Sequence, residues 1–203
     1  MAMMANPIPD SPDQTGAMIL PWVSLFPGAM LPLKIFEERY REMLRESLAG
    51  NRMFAIAHSI GEDTEFERIG GLGIIRACVH NDDGTSNLVL QGLARVEFLD
   101  MQLEPYPIGR ISIITDPVGS SRKLESLRKI ITETFQATSL LKAGIPEGFM
   151  KHLNAIPDPG AFADLVTSTA IENPQTRRLL LEELDVTSRM ELLQRFLNAQ
   201  QTH

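Results

Sequence analysis

Hydrophobic residues follow two different periods along this chain. Up to about Thr115 they alternate with polar residues or form continuous runs of strand length, and from Ser121 onward they recur every three or four residues. The first pattern is typical of β-strands and the second of amphipathic helices. A short stretch rich in Pro, Gly and Ser separates them. The pattern therefore predicts a β-rich first part followed by an all-helical second part.

The opening of the folded chain combines a strand, a sharp turn and a helix. We interpret Ile19–Phe26 as an apolar strand that ends at the dipeptide Pro27-Gly28, because Pro presets the turn dihedral and Gly tolerates positive φ. A short extended segment contains Pro32, which has no N–H and fits best at a sheet edge. An amphipathic helix is predicted from about Phe36.

Further strands follow from apolar runs and turn residues. Met53–Ile60 is an apolar run of strand length, and Tyr106–Thr115 is another. Between them, Ile69–His80 and Thr85–Leu99 flank Asp83-Gly84, a dipeptide that favours tight hairpin turns. Antiparallel hairpins of this kind close into barrels, so we expect a small barrel.

The second part carries helix signals at regular intervals. A long amphipathic helix is predicted over Ser121–Lys142. Asp158 and Asn173 each precede a proline, which is the arrangement of an N-cap followed by proline at the first helical position. Ser188, with Glu191 three residues later, matches a capping box. These short helices must bury their apolar stripes against one another.

Three stretches resemble one protein family. Residues 20–40, LPWVSLFPGAMLPLKIFEERY, are similar to the start of the amino-terminal, substrate-recognition domain of Lon proteases. Gln91–Val96 resembles the G-L-x-R strand of that domain. Asp158–Asp164, followed by Arg177–Leu184 and Arg189–Leu197, resembles its helical half. The stretches occur in the order expected for the family, and the similarity extends over nearly the whole chain.

The resemblance implies an α+β fold and a role in recognition. We expect a disordered tail over residues 1–16, a PUA-like antiparallel pseudo-β-barrel with an early helix over 17–118, and a helical subdomain over 119–203. Such domains bind unfolded or apolar polypeptide segments, or mediate self-association into homo-oligomers. The Walker loop and the Ser–Lys protease domain of full Lon proteases have no counterpart in this sequence. We therefore expect a stand-alone, non-catalytic module.

Composition and charge exclude some partners. Hydrophobic residues make up 43% and charged residues 22% of the 203 residues, as in soluble globular proteins. The net charge of −7 lies in the first 120 residues, which hold 9 Lys and Arg against 16 Asp and Glu. That balance disfavours nucleic acid. No apolar run approaches the length of a membrane span, and the start lacks signal-peptide features. The single cysteine, Cys78, fits a reducing cytoplasm.

Candidate catalytic chemistry is sparse. Cys78 and His80 share one strand face, but no third or fourth ligand lies nearby in sequence, so we predict neither a metal site nor a cofactor. His58 lies in an apolar strand, so we predict that it is packed in the protein interior and is not a ligand or a base. Polypeptide recognition is the first hypothesis. The second is a PUA-like barrel that binds a small molecule or an RNA base, and the third is an enzyme that uses His58, Cys78 or His80. Gly70, Gly71 and Gly73 do not precede a helix, as the glycines of a phosphate-binding loop would. They therefore indicate a bulge in the strand.

The predicted binding surface lies beside the first turn and the first helix. Met-bearing apolar segments adapt to varied partners, and an apolar surface at an edge can take a peptide. We therefore predict that Phe26, Met30, Phe36, Glu38 and Arg39 contact the bound polypeptide. The two phenylalanines suit the core equally well.

Overall fold

The structure is a computed structural model that describes residues 12–60, 65–116, 121–141 and 148–200, and for residues 138–141 it describes the backbone alone. These residues form two compact units, one ending at Thr115 and the other starting at Asp116. The predicted boundary between residues 118 and 119 lies outside the described residues, as do residues 1–11 of the predicted tail. We call the two parts the β unit and the helical unit.

The β unit has the strand-rich architecture that the period of two predicts. Its strands and helix are β1 Gln14–Leu20, β2 Met30–Ile35, α1 Glu38–Ala49, β3 Met53–His58, β4 Ile69–His80, β5 Ser86–Gln102 and β6 Ile108–Ile114. The strand order is β2-β5-β4-β3-β1-β6, and β6 pairs with β5 as well as with β1. The sheet is therefore barrel-like. The predicted Asp83-Gly84 hairpin is confirmed between β4 and β5.

Two expectations for the first strand are wrong. β1 ends at Leu20, six residues before the predicted end at Phe26, because the chain turns at Pro21 and Trp22. It also starts at Gln14, inside the predicted tail, since residues 14–16 pair with β6.

The sheet is mixed and not purely antiparallel, because β1 and β3 run parallel. The connection between them passes through β2 and α1, which lets β3 start at the same end as β1.

The residues between β1 and β2 pass over two other strands. A Cβ atom at Gly71 of β4 would overlap the carbonyl oxygen of Leu25, and one at Gly92 of β5 would overlap that of Phe26. Leu25 and Phe26 are buried. We call residues 23–28 the crossing segment. It depends on glycine in the strands beneath it, and the expected irregularity of the β4 glycines is confirmed by a register shift between Leu72 and Gly73.

Helix α1 lies over the apolar interior of the β unit. Tyr40, Met43 and Leu44 are buried in one core cluster with strand residues such as Phe54 and Leu90. The backbone N–H of Ile19 donates to the phenol oxygen of Tyr40 at 3.2 Å. A second cluster covers the other side of β1 and β3, which explains why β3 is apolar at successive positions.

The helical unit contains α2 Arg122–Leu141, α3 Phe149–Ala155, α4 Pro159–Ala170, α5 Pro174–Glu182 and α6 Val186–Gln200. The predicted caps of α4 and α5 are confirmed: Asp158 accepts from the N–H of Ala161 at 2.7 Å, and Asn173 accepts from that of Thr176 at 2.9 Å. The Ser188 capping box is wrong. Asp185 takes its place as the N-cap.

Asp185 caps α6. Its carboxylate accepts from the N–H of Ser188 at 2.8 Å, and its carbonyl oxygen accepts the first helical hydrogen bond from Arg189. Ser188 is therefore the third residue of the helix and lies in its first turn. Most of the buried hydrophobic residues of the unit come from the apolar stripes of its helices, among them Ile131, Phe135, Leu153, Phe162, Val166, Leu180, Met190, Leu193 and Leu197.

Candidate functional site

The structure separates the five predicted contact residues into exposed and buried ones. Met30 is 58% exposed and Phe36 is 61% exposed, so both apolar side chains face solvent. Glu38 is exposed and Arg39 is half-buried. Phe26 is fully buried in the crossing segment, with the Arg95 guanidinium 5.9 Å from its ring. The prediction that Phe26 is a surface contact is therefore wrong, because its side chain belongs to the core.

Three neighbouring strands carry an apolar surface next to Met30. Side chains of β2 alternate, so Met30, Pro32 and Lys34 point away from the core. Pro32 lies opposite Val89 of β5, and Val89 lies opposite Ala77 of β4. In the next row, Val79 of β4 is 62% exposed. We call the side chains of Met30, Pro32, Ala77, Val79 and Val89 the outer face.

The outer face contains an open depression of about 450 Å³. Its walls are mostly apolar, and the polar groups are those of Lys34 and Asn87 at one end. At the other end, Gln91 lies opposite Met30, and its side-chain oxygen accepts from Arg76 at 2.6 Å. An apolar strip with polar ends is suited to apolar side chains presented by an extended chain.

Strand β2 limits how a partner could bind at the sheet edge. In the strand order it lies at the end of the sheet, beside β5. Pro32 at its centre has no N–H to donate to an added strand. Binding at this edge would therefore depend on side chains of the outer face more than on a continuous ladder of backbone hydrogen bonds.

The charged residues at the start of α1 form local ion pairs. Arg39 lies 2.9 Å from the carboxylate of Glu37, and its guanidinium covers the ring of Tyr40 at 4.7 Å. Glu38 is 3.7 Å from Arg41. Arg39 is thus held against the protein surface, whereas the carboxylate of Glu38 remains accessible.

A second cavity, of about 500 Å³, lies between α1 and the β4–β5 hairpin. Leu44 and Leu48 provide its apolar part, and Arg41, Glu42 and His80 provide polar groups of both signs. The volume is that of a small-molecule pocket, but the mixture of charges favours no particular ligand.

The residues of the enzyme hypothesis do not form one catalytic site. His58 is buried, with Nδ1 3.4 Å from the carbonyl oxygen of Val23. Ser86 hydrogen-bonds to both Cys78 and His80, the latter at 2.9 Å. Burial raises the pKa of the Cys78 thiol, which opposes its use as a nucleophile.

Among the residues that the structure describes, no three His, Cys, Asp or Glu side chains are grouped so that they could hold a metal ion. In the same part of the chain, no helix combines the length and the apolar character that a membrane crossing requires.

Sequence reasoning proposed the exposed residues Met30 and Phe36 but missed Ala77, Val79 and Val89 of the outer face. Ala77, Val79 and Val89 belong to the hairpin, and alternation alone shows that they share a side of it. It does not show which side faces solvent, because that depends on where β2 pairs.

The sequence matches one described family over most of its length. Residues 17–199 match the ATP-dependent protease La (LON) substrate-binding domain. Curated relatives include the Lon protease of Desulfosudis oleivorans, 28% identical over 87% of this chain, and that of Roseiflexus castenholzii, 27% identical over 96%. The matched regions cover 22% and 26% of those two proteins, so the chain spans about a quarter of their length.

Solved structures show the same fold. The N-terminal domain of a Mycobacterium avium complex Lon protease superposes with a TM-score of 0.77 at 17% identity, covering 91% of this chain and 98% of that domain. A Lon N-terminal domain protein from Xanthomonas campestris gives a TM-score of 0.66 at 17% identity, covering 89% of this chain and 96% of the other.

Proposed function

This chain belongs to the substrate-binding domain family of ATP-dependent protease La (Lon), and from that premise we propose that it recognises unfolded or apolar polypeptide segments without catalysing a reaction on them. The family description supports a polypeptide ligand. The raised pKa of Cys78, together with the separate hydrogen bonds of His58 and His80, supports a non-catalytic role.

The outer face is the observation that carries this proposal. It exposes Met30 and Pro32 on β2 and Val79 on β4, and Pro32 and Val79 line an open, apolar depression that extends across β5. Exposed apolar surface of this kind marks an interaction site in a soluble protein. Unfolded chains display the apolar side chains that fit it, whereas folded proteins bury them.

Phe36, Glu38 and Arg39 extend the proposed surface toward α1. Phe36 directly follows β2, and its exposed ring offers a further apolar contact. The accessible Glu38 carboxylate and the Glu37-paired Arg39 provide polar contacts at its margin. The acidic balance of the β unit supports a partner other than nucleic acid. The unpaired Cys78 and the family support a cytoplasmic setting.

The test is binding of a permanently unfolded polypeptide to variants of the outer face. We would measure fluorescence anisotropy of labelled, reduced and alkylated α-lactalbumin. Met30→Asp and Val79→Asp each place a charge in the apolar strip, and each should weaken binding by roughly tenfold. Both positions are exposed, so the variants should keep wild-type melting.

Leu99→Asp is the matched control. Leu99 is also an exposed apolar residue of β5, but it lies in the half of that strand that pairs with β6 and not with β2. This variant should bind as the wild type does. Equal loss of binding in all three variants would indicate a general charge effect, and wild-type binding by both outer-face variants would exclude this surface.

A further inference from the structure

The single tryptophan of the chain occupies an unusual backbone position. Trp22 lies just after β1, at φ +65°, and its side chain is 60% exposed. The left-handed region favours Gly and Asn, because a Cβ atom crowds the backbone there. A large apolar side chain that is both strained and exposed contributes little to folding. Such positions persist where they serve a function.

Arg52 shows what a structural reason for positive φ looks like. It is the other residue besides glycine with positive φ in the described part of the chain, at +63°. Its guanidinium donates to the carbonyl oxygen of Ile75 at 3.2 Å, and its own carbonyl accepts from Ile75 at 2.8 Å. Hydrogen bonds with β4 thus compensate for the backbone strain at Arg52, whereas the exposed indole of Trp22 extends into solvent.

The surroundings of Trp22 combine apolar and acidic groups. The N–H of Ser59 donates to Leu20, so the residues that follow β1 and β3 lie at the same end of the sheet. Ile60, which is 55% exposed, follows Ser59, and its N–H donates to the backbone of the exposed residue Glu65. Two exposed apolar side chains and a carboxylate are therefore present at this end.

We propose that Trp22 is a second anchor for the bound polypeptide and selects an apolar residue that has Lys or Arg beside it. This inference rests on the proposed function. The indole face attracts cations as well as apolar groups, and Glu65 adds a complementary negative charge. The acidic balance of the first 120 residues acts in the same direction.

The crossing segment sets the distance between the two anchors. Trp22 directly precedes it and Met30 follows it after Ala29. The two anchors are eight positions apart, so their Cα atoms can be separated by at most roughly 28 Å. An extended polypeptide of about nine residues can span that distance. The bound segment is therefore short enough to be supplied by a synthetic peptide of about 12 residues.

The experiment uses the indole as the reporter. Wild-type protein is titrated with two peptides of about 12 residues that share the same apolar residues and carry either Lys or Glu beside them. The tryptophan emission should move to shorter wavelength with the Lys peptide, and the Lys peptide should bind at least roughly fivefold more tightly than the Glu peptide. Equal affinity for both peptides, with unchanged emission, would overturn the inference.

A pair of variants separates binding from folding. Trp22→Gly removes the side chain and relieves the backbone, so it should melt no lower than the wild type while it loses affinity for the Lys peptide. Trp22→Phe keeps an aromatic face and should retain most of the affinity. Arg52→Gly, the matched change at the other strained position, should lower stability and leave peptide affinity unchanged.

The outcomes distinguish the inference from the function on which it rests. If unfolded α-lactalbumin does not bind the wild type, the proposed function fails. If it binds, Met30→Asp weakens it and Trp22→Gly has no effect on the Lys peptide, the function holds and only the Trp22 anchor is wrong. If Trp22→Gly changes the sedimentation behaviour of the free protein and not its peptide affinity, Trp22 contacts a second copy of the chain, which also overturns the inference.

Discussion

Arg189 and Asp116 form a two-pronged ion pair in the helical unit, with nitrogen–oxygen distances of 2.7 and 2.8 Å across 73 positions of sequence. The Arg189 side chain is fully buried, and it also lies 3.4 Å from Asp164 of α4. A Cβ atom at Gly160 would overlap the Asp116 carboxylate. Arg189 of α6 and Gly160 of α4 therefore both lie against Asp116, the first residue of the unit.

Loss of Arg189 should destabilise the helical unit strongly. Arg189→Gln leaves two carboxylates, Asp116 and Asp164, without their buried cation, and breaking a buried pair costs about 3–5 kcal/mol. Denaturant unfolding monitored by circular dichroism measures the change. The control is Arg178→Gln, which removes a partly exposed pair with Glu182 and should cost less than about 1 kcal/mol. Similar losses for both variants would contradict the assignment.

Substitution of Gly92 should destabilise the protein even when the new residue is alanine, which adds only a methyl group. A Cβ atom there meets the carbonyl oxygen of Phe26 in the crossing segment, so the backbone of one of the two must shift. We expect Gly92→Ala to lower the free energy of unfolding by about 1–3 kcal/mol. Gly50→Ala is the comparison, because its Cβ would lie 3.4 Å from the nearest atom, the carbonyl oxygen of Glu46. Thermal melting of both variants decides the point.

The Tyr106 phenol should make stability depend on pH in the alkaline range. Burial, with the hydrogen bond to Glu46 at 2.5 Å, raises the pKa of Tyr106 to about 12. In the unfolded chain the phenol ionises near its ordinary pKa of about 10. The stabilisation is therefore complete below pH ~10 and is lost as the pH rises from there through about 12. Denaturant midpoints measured across this range should fall less steeply in Tyr106→Phe; parallel curves for the two proteins would refute the assignment.

The family-like stretches could be found from sequence, but the contacts between them could not. The Pro27-Gly28 turn, the Asp83-Gly84 hairpin and the cap at Asp158 depend on local backbone chemistry, which short sequence patterns carry. That Gly92 lies under Phe26 is a contact between residues 66 positions apart, and no local pattern specifies it. The structure thereby explains why the L-F-P-G and G-L-x-R stretches occur together.

The candidate site was predictable in part for the same reason. Met30 lies in an edge strand two residues before Pro32, and these local signals were sufficient to predict its exposure, whereas they left Phe36 equally suited to the core. Phe26 has a similar sequence environment, yet it is buried, because the crossing segment folds back over β5. The exposure of Val79 follows from strand pairing, and that of Trp22 from a turn that apolar periodicity concealed.

The start of α6 offers a test in which sequence and structure predict opposite results. The sequence pattern makes Ser188 the cap, whereas in the structure the Asp185 carboxylate accepts from the N–H of Ser188. This hydrogen bond lowers the pKa of Asp185, so its stabilising effect is present above the ordinary pKa of the carboxyl and is lost as the pH falls through the lowered one. Asp185→Ala should therefore reduce the melting temperature by about 2–4 °C at neutral pH, and by less in acid. Ser188→Ala should have a smaller effect at neutral pH, since the backbone N–H remains; a larger loss for Ser188→Ala than for Asp185→Ala would restore the sequence-based cap.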